Sequence, residues 1–293
     1  MIRKLLFTAA VAAALTASAF AIARPKTADV NAAPADIVKP PGPADFRTLD
    51  PQNVLVITTN KGRILVEMTP ATAPEHVARV RELTKQGFYD GKLFFRVVDG
   101  FMAQTGDPNN DGSGGSTLPN LKAAFTFRRG ADSPMTVIAD RATGAVGFIG
   151  PLPVQSQSSM LMAMTTDQKV NAWGLFCPGV AGMARSGEAD SANSQFFLMR
   201  DHYPALEAKY TAWGRVISGL DVVRSLKVGE PVAEPQDRME RVRLLADLPA
   251  NERLSVRVID PAGPWFQAEV ARRRQFDGDD FSPCDLPIPV EIK

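Results

Sequence analysis

Residues 94–108 read FFRVVDGFMAQTGDP, which is two short apolar runs separated by an Asp-Gly turn. Short apolar runs bounded by turn residues are typical of β-strands. An arginine, Arg96, stands inside the first run, and Gln104 stands inside the second. Because alternate side chains of a strand share a face, we expect Arg96 and Gln104 to point into one cleft with Phe101 between them.

A second segment combines polar and aromatic residues in a similar way. Residues 182–186 read GMARS, and residues 194–198 read SQFFL. This pattern predicts a polar loop that leads into a strand ending in the pair Phe196 and Phe197. Either segment alone is equally consistent with a strand core that carries one surface arginine, so their order and spacing along the chain decide the interpretation.

The central part of the chain predicts mostly short strands. Residues 53–68 form a hairpin around an Asn-Lys-Gly turn, one helix begins at Pro74 and ends near Gly87, and a second helix covers residues 220–226. On the first helix we expect His76 at the surface. Many short strands with two helices favour a closed antiparallel barrel over a sheet of βαβ units.

Together, the two segments resemble the signature of the cyclophilins, F-H-R-V-I-x-G-F-M-x-Q-G-G-D followed by S-M-A-x and S-Q-F-F. The residues GFYDG at 87–91 and WGRV at 213–216 match the family as well. The resemblance covers about residues 53–247, except for an inserted segment at about 131–175. It implies a mainly-β fold, a closed eight-stranded antiparallel barrel capped by two helices, and peptidyl-prolyl cis–trans isomerase activity on proline-containing polypeptides.

The resemblance also implies a site. Arg96 is the expected catalytic arginine, and Gln104 and Phe101 are expected to assist it. The other residues are expected to bind the substrate along the peptide groove: Met102, Ala184, Arg185, Gln195, Phe197, Leu206 and Tyr210. Three positions depart from the common eukaryotic pattern: Phe95 and Tyr210 stand where histidines are frequent, and Ala205 stands where a tryptophan is frequent.

An arginine suits the rotation of a prolyl bond. The barrier of ~18–20 kcal/mol comes from the partial double-bond character of the C–N bond. At the twisted transition state the prolyl nitrogen gains a lone pair, and a guanidinium aimed at it stabilises that state more than the planar one. No bond breaks, so the resemblance implies no nucleophile, metal or cofactor.

Composition excludes several other classes of function. The 33 basic and 32 acidic residues give a net charge of +1, which predicts no nucleic-acid partner. Two histidines and two cysteines fit no spaced metal motif, and phosphate-binding, dinucleotide-binding and hydrolase motifs are absent from the sequence. For Cys177 and Cys284, a disulfide and two separate thiols are both open.

The ends of the chain suggest export. Residues 1–23 have a basic start, an apolar run and small residues before two candidate cleavage positions, which predicts a signal peptide. A retained membrane anchor is the alternative, although the run is shorter than the ~20 residues of a spanning helix. We therefore expect an exported, periplasmic protein without an integral membrane span once mature. Residues 24–52 predict a Pro/Ala-rich arm, and residues 248–293 predict a C-terminal extension.

Two further functions stay open beside catalysis. One is a non-catalytic chaperone or assembly factor of the cell envelope that binds proline-containing segments, and the other is a structural envelope protein. The presence of both Arg96 and Gln104 favours catalysis. The methionine-rich segment at 131–175 predicts either a surface excursion packed on the barrel or a border of the peptide groove. The sequence predicts no oligomeric state.

Overall fold

The computed structural model describes residues 39–278 and 281–293, so the predicted signal peptide and residues 24–38 of the predicted arm lie outside the described residues. The helices are α1 (Pro74–Lys85), α2 (Leu220–Ser225) and α3 (Pro264–Asp277). The strands, in chain order, are β1 (Phe46–Thr48), β2 (Val54–Thr59), β3 (Gly62–Met68), β4 (Arg96–Val98), β5 (Met102–Thr105), β6 (Phe127–Arg129), β7 (Thr136–Arg141), β8 (Gly144–Ile149), β9 (Leu152–Ser156), β10 (Val170–Gly174), β11 (Val180–Met183), β12 (Phe196–Met199), β13 (Ala212–Ser218), β14 (Met239–Leu244), β15 (Val256–Ile259) and β16 (Val290–Ile292).

The main sheet has eight antiparallel strands in the order β14-β2-β3-β13-β11-β12-β5-β4. The predicted hairpin is confirmed, since β2 pairs with β3 around the turn at Gly62. The curled sheet encloses a core whose largest fully buried side chains include Trp213, Phe196 and Tyr89. The rings of Tyr89 and Trp213 meet Phe196 edge-on, with centroids 5.4 and 5.6 Å away.

The predicted closed barrel is not supported. Within the described residues no strand ladder joins the edge strands β4 and β14, and only isolated bridges form there, from Leu93 to Arg238 and from Val97 to Gly229. The segment that lies along β4 contains Pro231 and Pro235. Proline has no N–H to donate to a ladder, which accounts for the interruption, and the sheet is an open, curled half-barrel.

The helix predicted to begin at Pro74 is confirmed as α1, but the prediction of a surface position for His76 is wrong. Val77, Val80 and Leu83 are buried, and Gly87 follows the helix with a positive φ of 69°. His76 is fully buried rather than at the surface, and its Nε2 lies 2.9 Å from the Lys122 carbonyl oxygen. The carbonyl only accepts, so Nε2 carries the proton in the neutral ring.

We expect the stability of the protein to fall in mild acid because of His76. Desolvation lowers the pKa of this ring, so the unfolded chain takes up a proton first as the pH falls below about 6.5. The contribution is complete above that pH, where both states are neutral. Denaturant unfolding at about pH 7.5 and about pH 5.5 should show a smaller decline for His76→Gln than for the wild type. The exposed-residue control His202→Gln should keep the full decline, and equal declines in all three proteins would contradict this account.

The predicted insert at about 131–175 supplies four of the five strands of a second sheet, and β6, just before the insert, supplies the fifth. The strands lie in the order β6-β10-β9-β8-β7. Leu152, Val154 and Ala172 of this sheet share one hydrophobic cluster with Met102 and Phe197 of the main sheet. The second sheet therefore packs against the face of the main sheet from which Arg96 and Gln104 project.

The third sheet has the order β1-β15-β16, so it pairs a strand near the start of the described residues with two strands near their end. Residues 46–48 of the predicted arm pair with β15, so this part of the arm is not an unpaired linker. Residues 248–293, the predicted C-terminal extension, contain β15, α3 and β16. Cys177 and Cys284 form a disulfide across 107 residues, which joins the C-terminal segment to the loop before β11. No helix of the described residues is long and apolar enough to cross a membrane.

Candidate active site

Strand register brings the central residues of the site together. Arg96 of β4 lies opposite Gln104 of β5, and Gln104 lies opposite Phe197 of β12. Residues that are directly opposite on neighbouring strands project from the same face of a sheet. The register therefore aligns a cation, an amide and an aromatic ring across three adjacent strands.

The Arg96 guanidinium is held from two sides. Its Nε donates to Glu230 Oε1 at 2.5 Å, and its Nη1 donates to Gln104 Oε1 at 3.3 Å. Its Cζ atom lies 5.9 Å from the centroid of the Phe101 ring. The Arg96 side chain is 35% exposed and that of Glu230 is 57% exposed, so the pair forms at the rim of the site and water screens it in part.

A chain of amides fixes the orientation of Gln104. Its Nε2 donates to Gln195 Oε1 at 2.9 Å, which leaves its Oε1 facing Arg96. Gln195 Nε2 in turn donates to the carbonyl oxygens of Gly112 and Gly114, at 3.0 and 2.7 Å. The two glutamine side chains thus link the loop at 112–114 to Arg96 through a series of hydrogen bonds.

A cavity of about 100 Å³ opens beside these residues. Phe101, Phe197 and Leu206 give it apolar walls, and Arg96 and Gln104 form its polar edge. The Phe197 ring is supported by Phe176 behind it, with ring centroids 5.9 Å apart. The cavity is therefore a small apolar pocket with a permanent cation at its mouth.

A second cavity of about 210 Å³ continues from the first. The two share Gln104, Ala184 and Arg185 as lining residues. The remaining residues of the second cavity are small or polar: Gly112, Ser113, Gly114, Ser186, Ser191, Asn193 and Gln195. The two cavities form a continuous groove that is apolar at one end and polar at the other.

Most of the residues that the sequence predicted for the site lie around the first cavity: Arg96, Phe101, Gln104, Ala184, Arg185, Phe197, Leu206 and Tyr210. Met102 and Gln195 do not line it. Met102 is buried beneath the site, with its sulfur 3.9 Å from Arg96 Nη1, and Gln195 lines only the second cavity. The side chain of Arg185 packs on Tyr210, with its Cζ 4.4 Å from the centroid of that ring.

Residues 131–175 do not line either cavity. Phe125, just before this segment, contacts the site through Arg185, whose Cζ lies 5.2 Å from the centroid of its ring. Of the two interpretations of the segment, the geometry favours the one in which it packs on the sheet.

Sequence reasoning missed two residues at the rim. The ring of Tyr203 packs against that of Phe101 at a tilt of 43°, with centroids 4.4 Å apart, and Glu230 pairs with Arg96. Glu230 lies 134 residues beyond Arg96 in the chain, so no local spacing could have indicated the pair. For Tyr203 the available signal was its place just before the segment Pro204–Leu206, which already contained the predicted Leu206.

The family model described as "Cyclophilin type peptidyl-prolyl cis-trans isomerase/CLD" matches residues 54–245, about two thirds of the chain. The chain belongs to this family. A probable peptidyl-prolyl cis-trans isomerase of Brucella suis is 34% identical over 191 residues, which covers 61% of this chain and 74% of that protein. A similar relative from Brucella abortus is also 34% identical over 191 residues, with the same coverage.

A solved structure extends the likeness beyond the family segment. The crystal structure of cyclophilin AquaCyp293 from Hirschia baltica has a TM-score of 0.78 and 35% sequence identity, and the match covers 85% of this chain and 94% of that one. This share exceeds the two thirds that the family model covers, so the likeness to that cyclophilin includes residues outside 54–245.

The chemistry of the pocket fits a rotation about a bond better than a hydrolysis. Among the described residues that line it, none is a histidine, a cysteine, a serine or a carboxylate. The pocket therefore offers no general base and no activated nucleophile of the usual kinds. It offers apolar walls and fixed donors, which are the groups that the isomerase reaction of a cyclophilin requires.

We expect Glu230→Gln to lower kcat/KM for a prolyl peptide by about two- to fivefold, the range of a partly exposed ion pair. The carboxylate holds Nε of Arg96 and so restricts the plane of its guanidinium. Most of the loss should appear in kcat, and it should shrink as salt is added. Glu240→Gln, which removes an exposed carboxylate paired with Arg238, is the matched control. A rise in kcat/KM for Glu230→Gln would show that the pair restrains Arg96 instead of orienting it.

Proposed function

We propose that this cyclophilin catalyses the cis–trans isomerisation of Xaa-Pro bonds in polypeptides, with Arg96 as the catalytic residue. The observation that carries the proposal is the guanidinium of Arg96, held by Gln104 and Glu230 at the mouth of the apolar pocket. Membership of the isomerase family supports it further.

In this mechanism the pyrrolidine ring enters the pocket between Phe101, Phe197 and Leu206. As the C–N bond twists, the prolyl nitrogen becomes pyramidal and Arg96 donates to its lone pair. That hydrogen bond is stronger in the twisted state than in the planar one, which lowers the barrier. Gln104 holds the neighbouring carbonyl, and the polar second cavity accepts residues of the peptide that flank the proline.

We assign the protein to the folding of exported polypeptides, as a periplasmic enzyme. The sequence pattern of residues 1–23 supports a signal peptide. The disulfide between Cys177 and Cys284 agrees with an oxidising compartment, where such bonds form and persist. In this assignment residues 131–175 are an insertion in the isomerase domain 53–247, and residues 248–293 are a C-terminal extension.

Two experiments test this role. The protein should accelerate the slow phase of refolding of a denatured substrate whose folding is limited by a proline bond, a phase that takes tens to hundreds of seconds without catalyst. Fractionation of cells that express the full chain should recover it in the periplasm, with a mass reduced by the signal peptide. Recovery of uncleaved protein in the cytoplasm would contradict the assignment to export.

A further inference from the structure

The fold brings three side chains with metal-binding chemistry together at one point. One ligand atom each of Cys177, His202 and Cys284 lies within 4.8 Å of the others, and this is the one such group among the described residues. The cysteines are 107 residues apart in the chain, which explains why the sequence predicted no metal site. In the oxidised chain the two sulfurs are bonded to each other.

A carboxylate stands next to this group. Glu207 Oε1 lies 3.4 Å from His202 Nε2. His202 and Glu207 flank the short 3₁₀ helix Pro204–Leu206. A carboxylate that receives the N–H of a histidine fixes the ring and raises its basicity, and this arrangement is common around zinc.

We propose that the reduced form of this protein binds Zn²⁺ through Cys177, Cys284 and His202, with Glu207 as the residue that orients the imidazole. A dithiol reductant first converts the disulfide to two thiols and is itself oxidised to a disulfide. Zn²⁺ then replaces one proton on each thiol, so that two protons are released and two thiolates bind the metal. A water molecule completes the four ligands.

The distances suit this metal. With Zn–S bonds of about 2.3 Å, tetrahedral coordination separates two thiolate sulfurs by about 3.8 Å, which falls within the 4.8 Å spread of the group. The Cα atoms of the two cysteines are 5.1 Å apart. Cys284 is only partly buried and lies in the C-terminal segment, so reduction allows the sulfurs to separate by a movement of that segment rather than of the main sheet.

The site adjoins the isomerase pocket. Tyr203, which packs against Phe101, and Leu206, which lines the pocket, both lie between His202 and Glu207 in the chain. Phe176 precedes Cys177 and supports Phe197. The two cysteines thus form a disulfide in an oxidising compartment and, together with His202, hold a metal in a reducing one, next to one wall of the pocket. The proposal rests on this geometry and not on the isomerase activity.

Cobalt titration tests the proposal, because Co²⁺ reports thiolate ligands and tetrahedral geometry in its absorption spectrum. The full chain, reduced with a non-chelating phosphine under argon, should bind one equivalent of Co²⁺ with a sulfur-to-metal charge-transfer band and tetrahedral d–d bands. One equivalent of Zn²⁺ should abolish these bands. The untreated, disulfide-bonded protein should show neither band.

Variants assign the ligands. Cys284→Ser should remove about half of the charge-transfer intensity, and His202→Ala should weaken Co²⁺ binding at least tenfold while its circular dichroism stays unchanged, since His202 lies at the surface. Glu207→Gln should weaken binding about 10- to 100-fold, the usual cost of losing an orienting partner, and Glu240→Gln should have no effect. Reduced protein without a charge-transfer band, or a Co²⁺ affinity that is unchanged in His202→Ala, would overturn the proposal.

Discussion

Arg96→Ala is expected to lose about 100- to 1000-fold in kcat/KM on a prolyl test peptide, the usual cost of removing a donor aimed at transition-state charge. The side chain lies at the rim and is 35% exposed, so its removal should leave the circular dichroism spectrum and the unfolding midpoint nearly unchanged. Arg96→Lys should also be poor, because a compact ammonium cannot hold Gln104 and Glu230 at once as the planar fork does.

The matched control is Arg63→Ala, which removes an exposed arginine from β3 outside the groove. Its kcat/KM should stay within about twofold of the wild type, because exposed positions away from a site contribute little. An Arg96→Ala protein that is folded and retains near wild-type activity would show that the guanidinium does not carry the reaction.

The neighbouring residues Phe196 and Phe197 are expected to separate stability from activity. Phe196→Ala should lower the free energy of unfolding by about 3–5 kcal/mol, because the fully buried ring leaves a cavity between Tyr89 and Trp213. Phe197 lies on the opposite face and forms a wall of the pocket. Phe197→Ala should reduce kcat/KM about tenfold or more, the value of one large apolar contact to the pyrrolidine ring.

Denaturant unfolding and kinetics on the same samples distinguish the two effects. Activity is expressed per folded molecule, so that the lower stability of Phe196→Ala does not lower its apparent rate. On that basis Phe196→Ala should remain within about twofold of the wild type, since side chains alternate between the faces of a strand. A loss of activity per folded molecule as large as that of Phe197→Ala would contradict the assignment of faces.

The part of the site that could be predicted is the part that strand geometry determines. Arg96, Gln104 and Phe197 lie opposite one another because their strands pair in register, and strand periodicity is visible in a sequence. The resemblance to the cyclophilins placed Leu206 and Tyr210 at the same pocket without any local signal of their own. Met102 was assigned to the pocket, but its side chain lies beneath Arg96. The position of a residue in the sequence does not indicate how deeply its side chain is buried.

The features that could not be predicted depend on contacts between distant segments. Glu230 reaches Arg96 from a loop 134 residues further along the chain, and Cys284 reaches Cys177 from 107 residues further along the chain. The burial of His76 depends on the Lys122 carbonyl that covers it. Four of the five strands of the second sheet fall in the segment at 131–175, whose polar and apolar residues show no clear alternation, and packing against the main sheet determines their structure.

The central claim is that this groove catalyses rotation about a prolyl bond and does not merely bind proline segments. NMR exchange spectroscopy of an Ala-Pro peptide, with the protein at a small fraction of the peptide concentration, measures the two properties together. We expect the cis and trans signals to exchange many times faster than the uncatalysed tens to hundreds of seconds, and we expect the acceleration to disappear in Arg96→Ala. Peptide binding with an unchanged exchange rate in the wild-type protein would contradict the claim and would favour a non-catalytic binding protein.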